Sequence, residues 1–197
     1  PPPPCADTAT SCLYLADVGD NPETRTSYTI YRVAEPATLA AGEHVVAFET
    51  LPFVYPDGSH NCETVLVHPV TGQITMVTKD GATTSAYDMP LPLQPGAMVT
   101  LGAAQPVDVG GLVTLVTGGD IHPQGESVLL RTYLGAWLYP IRGGETAAQA
   151  LAKAPCEVPV AGRMQGETVA WSRAGDAYFT MSEGAAAPVH RVACAPR

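Results

Sequence analysis

Basic residues are scarce in this 197-residue chain: ten Lys and Arg stand against nineteen Asp and Glu, for a net charge of −9. Such a surface repels phosphate backbones and anionic lipid, so neither nucleic acid nor a membrane surface is expected as a partner. Charge of either sign is thin at 15%, yet hydrophobic residues reach 46%, enough to bury a sizeable core in one domain spanning 1–197. Long apolar runs are missing. Nothing approaches the ~18 consecutive apolar residues of a spanning helix, so no membrane insertion is expected. CxxC, GxSxG, HExxH, P-loop and GxGxxG patterns are also absent, which removes zinc-ribbon, thioredoxin-like, lipase, zincin, NTPase and Rossmann readings.

Chain punctuation is abundant instead. Gly and Pro number 19 each, so turns are frequent and long helices scarce. Alternating apolar and polar runs predict strands at Cys12–Ala16, Tyr28–Val33, His44–Val54, Glu63–His68, Gln73–Thr78, Ala97–Ala103 and Leu112–Thr117. Others follow at Ser127–Tyr133, Ala136–Ile141, Thr168–Ser172, Ala177–Ser182 and Val189–Cys194. Only Glu145–Lys153, short and Ala-rich, reads as a helix. The chain is all-β on this reading.

The spacing repeats. Segments 61–89 and 165–192 both open on an ETV core, and sixteen residues after Glu63 and Glu167 stand Lys79 and Glu183, each followed by a Gly turn. Between them runs VTGGDIHPQGESVLLRTYLGAWLYPI, with Asp120 near the same strand, and CLYLADVGDNPETRTSYTIYRV resembles the later part of another unit. Four similar units of roughly 45 to 55 residues indicate a radial repeat, the β-propeller, with four to five blades covered here. A two-sheet sandwich is the structural alternative. The abrupt PPPP start predicts that an N-terminal blade, or part of one, is missing. The end strands would then need covering, which favours a protein partner or a place in a larger complex.

In a propeller the first strand of each blade lines a central channel. Glu63, Asp120 and Glu167 near the starts of such strands would repel one another unless protonated or holding a cation, and a hard ion such as calcium suits oxygen donors. Asn61 and the turn carrying Asp17 and Asp20 can add oxygens; the alternative is that all these acids cap strands and turns. His60, three residues from Glu63, is the candidate general base. Lys79 and Arg131 end apolar strands and can either hold a small anionic ligand or pair with the acids. The other His residues, two of them before Pro, form no metal-ligand pattern.

Cys5 and Cys12 bracket a short polar segment able to turn back on itself, which makes them the first candidate disulfide. Cys156 and Cys194 are a second candidate pair, and Cys62 is the odd thiol, read as a small buried hydrophobe. Few Lys residues and the expected bridging point to a secreted or periplasmic protein.

The series LADVGDN, IYRVAEP, YPDGSHNCETVLVHPVTGQ, VTGGDIHPQGESVLLRTY, QGETVAW and MSEG resembles a group of bacterial exported β-propeller proteins. It is more distantly similar to phytase-like and esterase-like propellers. The resemblance covers Leu13 to Cys194 and implies a ring of five to seven blades with acids on the inner strands. Gln124-Gly125 stands where the related pattern more often has Asp-Gly, and Glu63-Thr64 where Glu-Ala is common. No catalytic residue is carried over. The function expected is a protein- or ligand-binding scaffold with calcium in its channel. The alternative is a calcium-dependent hydrolase of phosphoesters, esters or lactones, with His60 moving protons and Arg131 or Lys79 steadying an anion.

Overall fold

Strands form where apolar residues alternate with polar ones, and two of them, the second strands of two sheets, become buried on both faces. The computed structural model describes residues 5, 10–38, 41–43, 45–80, 83–160 and 165–194; the PPPP tract and His44, the expected start of the third strand, lie outside these. In chain order the strands are β1 (Cys12–Asp17), β2 (Tyr28–Ala34), β3 (Glu49–Val54), β4 (Cys62–Val67), β5 (Ile74–Thr78), β6 (Ser85–Asp88), β7 (Val99–Thr100) and β8 (Gln105–Pro106). Then come β9 (Val116–Ile121), β10 (Ser127–Thr132), β11 (Ala136–Pro140), the helix α1 (Ala147–Leu151), β12 (Cys156–Val158), β13 (Gly166–Trp171), β14 (Ala177–Ser182) and β15 (His190–Ala193). The all-β expectation holds.

They form four sheets, ordered β1-β2-β3-β7, β4-β5-β6-β8, β9-β10-β11-β12 and β13-β14-β15. Successive sheets pack face to face through three cores. Ile30 and Phe53 of the first meet Ile74 and Met76 of the second; Leu66 and Val77 meet Val128 and Leu130 of the third; Leu129 meets Val169 and Tyr178 of the fourth. Strands β5 and β10 sit between neighbours on both sides, and all of β5 is buried. Strand β9 contacts both β4 and β13, so the first strands of the last three sheets run side by side.

A repeated latch ties the sheets at one end. The ring of His68 lies over Gly125 in the hairpin of the third sheet, and His122 lies over Gly175 in the fourth. A Cβ on Gly125 would fall 2.5 Å from His68 Cε1, and one on Gly175 would fall 2.3 Å from His122 Nε2. Both glycines hold positive φ, at +75° and +73°, so a side chain is disfavoured twice over.

Several boundaries differ from expectation for physical reasons. The strand expected at Leu112–Thr117 begins at Val116 instead, because β10 fixes its register through Val128 opposite Ile121, while Leu112 stays fully exposed. The helix shortens to five residues behind the N-cap Thr146, whose hydroxyl and backbone N–H both bond Gln149 in a capping box. Cys5 and Cys12 form a disulfide. Cys156 and Cys194 are free, contrary to the expected second pair: Cys156 sits on the outer strand of the third sheet, and Cys194 follows the last strand of the fourth. Cys62 is free and buried, as expected. Among the described residues, no helix is long and apolar enough to cross a membrane.

Candidate functional site

Each of the last three sheets carries a β-bulge in its first strand, at the same place. Cys62 pairs Thr78 and Thr64 pairs Val77, which leaves Glu63 unpaired. Gly166 pairs Ser182 and Thr168 pairs Met181, which leaves Glu167. Between them Val116 pairs Thr132 and Gly118 pairs Arg131, which leaves Thr117. A bulge re-aims one side chain out of the ladder, and such kinks concentrate beside functional sites. Thr117 therefore occupies the position equivalent to Glu63 and Glu167, rather than Asp120.

Around these bulges the chain gathers its acid–base chemistry. Lys79 Nζ donates to Glu63 Oε2 and to Tyr133 Oη, at 2.7 Å each, and lies 4.7 Å from the centre of the Tyr133 ring. Burial alone would lower the Lys79 pKa, but the hydrogen bonds to Glu63 and Tyr133 hold it above the ordinary value. The Glu167 carboxyl accepts no hydrogen bond among the described residues. Burial raises its pKa, and the nearby Glu63 and Glu183 add to the rise while Lys79 and Arg131 oppose it. Behind it Arg131 is only 1% exposed, with Nε and Nη1 unpartnered, and burial pulls its pKa below the ordinary value. The guanidinium occupies space that only a glycine at position 166 leaves free. Thr117 Oγ1 donates to the Gly166 carbonyl at 2.6 Å and so fixes the backbone under Arg131.

The remaining expected site residues fall elsewhere. Asp120 accepts from the backbone N–H groups of Ile121 and Trp171, at 2.8 Å each, and so clips the third sheet to the fourth. Burial raises its pKa, against the pull of those two bonds. Asn61 Oδ1 accepts from the Asp20 N–H at 2.8 Å, and the Asp20 carboxylate accepts from the Arg25 N–H and the Tyr28 hydroxyl, so both acid and amide organise the turn between the first two sheets. Asp17 pairs with Arg25 at 2.7 Å on the surface. Of the six oxygen donors expected around calcium, Glu63 and Glu167 lie near one another and Asn61 bonds Asp20, but among the described residues no three His, Cys, Asp or Glu side chains converge as metal ligands.

His60 lies in a separate network. Its Nδ1 stands 3.1 Å from Asp80 Oδ2 and its Nε2 3.1 Å from Asp57 Oδ1, with Tyr87 Oη donating to Asp57 Oδ2 at 2.9 Å. Both ring nitrogens thus face carboxylates of the chain's own Asp57 and Asp80, apart from the Lys79–Glu167 cluster. Burial pushes the Asp57 pKa up, but the bonds from Tyr87 and His60 outweigh it and leave it lowered. Sequence reasoning missed Thr117 and the partnership of Tyr133 with Lys79. The signal was present: Tyr133 follows Thr117 by sixteen residues, as Lys79 follows Glu63 and Glu183 follows Glu167.

No family model matches the chain, and no curated protein matches its sequence. Solved structures match it in fold, among them a Bacteroides uniformis protein provisionally assigned as a 6-phosphogluconolactonase, with a TM-score of 0.56 at 10% identity over 98% of this chain. The likeness is one of fold. The chain spans 66% of that protein's length.

Proposed function

We propose that the four sheets are blades of a β-propeller, and that the ends of its inner strands bind a small hydroxylated anion. The single observation that carries the reading is Arg131, a buried guanidinium with two unpartnered nitrogens in a chain of net charge −9. A buried charge with unsatisfied donors costs several kcal/mol, on the order of the penalty for breaking a buried pair; Glu167 offsets part of it through space, and a bound anion offsets more in a low dielectric. Lys79 and Tyr133 supply donors beside it, and the unpaired Glu167 supplies an acceptor for ligand hydroxyls. The disulfide Cys5–Cys12 supports export, since such bonds persist outside the cytosol. The outward face of the first sheet, with Leu13, Leu15, Tyr31 and Phe48 exposed, is the surface a further blade or a protein partner would cover.

A second reading, hydrolysis of a sugar lactone or ester, is favoured by the raised pKa of Glu167 and by the fold neighbour's assignment. Glu167 takes a proton from water as the oxygen attacks the carbonyl carbon; Lys79 and Tyr133 donate to the carbonyl oxygen. The ring C–O bond then breaks, and the leaving alkoxide takes the proton back from Glu167. The test is a thermal melt against phosphate, gluconate and 6-phosphogluconate, beside a proton-release assay on glucono-δ-lactone. A melting shift that grows with one of these anions supports binding, and turnover lost in Glu167→Gln supports hydrolysis. No shift and no turnover at millimolar concentration overturns both.

A further inference from the structure

At the opposite end of the inner strands, past Ile121 and Trp171, a cleft of about 700 Å³ opens between the third and fourth sheets. That volume falls within the usual range for small-molecule sites, ~300–1,000 Å³. Its apolar lining comes from Leu138, Pro140, Ile141 and Trp171, brought together where β11 ends and β13 turns toward β14. Two charges of opposite sign also line it, Glu126 and Arg142, both exposed. They are near neighbours, since Ile141 donates its N–H to the Glu126 carbonyl. Neither side chain makes a hydrogen bond or ion pair with any described residue, although the charge of Arg142 is felt by Glu145, whose own partner is Lys153. The cleft is therefore an apolar floor with one free anion and one free cation.

We propose that this cleft binds a free α-amino acid with an apolar side chain. The ligand carboxylate meets the Arg142 guanidinium, its ammonium meets Glu126, and its side chain lies on Trp171, Leu138 and Ile141. A simple organic acid would leave Glu126 unanswered, and a simple amine would leave Arg142 so; a zwitterion answers both. The site shares no residue with the Lys79–Arg131 cluster and does not depend on the reading given to it.

Calorimetric titration with three probes tests it: L-phenylalanine, its amide, which lacks the carboxylate, and 3-phenylpropanoate, which lacks the ammonium. L-Phenylalanine binds with one-to-one stoichiometry, and each truncated probe binds at least tenfold more weakly. Arg142→Ala abolishes the preference over the amide, and Glu126→Gln abolishes the preference over phenylpropanoate. Both residues are exposed, so these variants keep the fold, which a circular dichroism melt confirms. Absence of heat at millimolar L-phenylalanine overturns the proposal. So does equal binding of all three probes, or preferences unchanged in the two variants.

Discussion

Gly166 and Arg131 are shaped to each other: a Cβ on Gly166 would fall 1.9 Å from Arg131 Nη2 and 2.3 Å from its Cζ. The glycine makes room for a buried guanidinium that an alanine would expel. Gly166→Ala is therefore expected to displace Arg131 without altering any charge. It should weaken anion binding at least tenfold, while Arg131→Lys, which keeps charge but not shape, weakens it less. A titration of both variants beside their urea melts checks this. Equal affinity in Gly166→Ala and wild type would remove Arg131 from the site.

The raised pKa of Glu167 has a pH signature. A carboxyl whose folded pKa lies above its ordinary value of 4.5 costs the folded state stability once ionised, and nothing when protonated in both states. Glu167→Gln should thus melt higher than wild type at pH 7 to 8. The advantage should shrink as pH falls through the raised pKa and vanish below the ordinary value. A difference in melting temperature that is flat with pH would contradict the shift.

The His–Gly latches predict a paired mutational cost. Gly125→Ala and Gly175→Ala each combine a left-handed backbone with a ring contact, and each should cost about 2 kcal/mol or more in denaturant unfolding. Adding His68→Ala to Gly125→Ala should recover the steric part and leave the backbone part, about 1 kcal/mol. Full recovery would show that the backbone at Gly125 is not strained by a side chain.

The thiols are sharply ranked. Cys156 is exposed and Cys194 half-buried, whereas Cys62 is buried and its pKa is pushed up to about 11, chiefly by burial. Iodoacetamide at pH 8 should label Cys156 and Cys194 in the native protein and Cys62 only after denaturation. Reduction of Cys5–Cys12, which closes a loop of seven residues, should cost about 2 kcal/mol on the chain-entropy account. Native labelling of Cys62 would contradict its burial.

Much of the fold was legible in the sequence because turn residues and alternation are local signals. The ETV repeat marked two of the three bulges, and the sixteen-residue interval marked Lys79. Thr117 escaped because it carries no charge, and Asp120, three residues on, drew attention away from it. Thr117 and Asp120 both reach the fourth sheet, but from different ends of β9: Thr117 bonds Gly166 beside the bulges, whereas Asp120 clips Trp171 at the far end instead of joining Glu63 and Glu167. The outer strands β7, β8 and β12 have only two or three residues, too few to show any period. The network around His60 gathers Asp57, Asp80 and Tyr87 from separate segments, and only tertiary packing brings them together.

The most direct test of the central claim is a calorimetric titration of 6-phosphogluconate into the wild-type protein and Lys79→Met. Binding at the ends of the inner strands predicts a one-to-one complex whose affinity falls at least tenfold in the variant, with Glu126→Gln unchanged as the control at the other end. No binding by wild type, or equal binding by wild type and Lys79→Met, would contradict it.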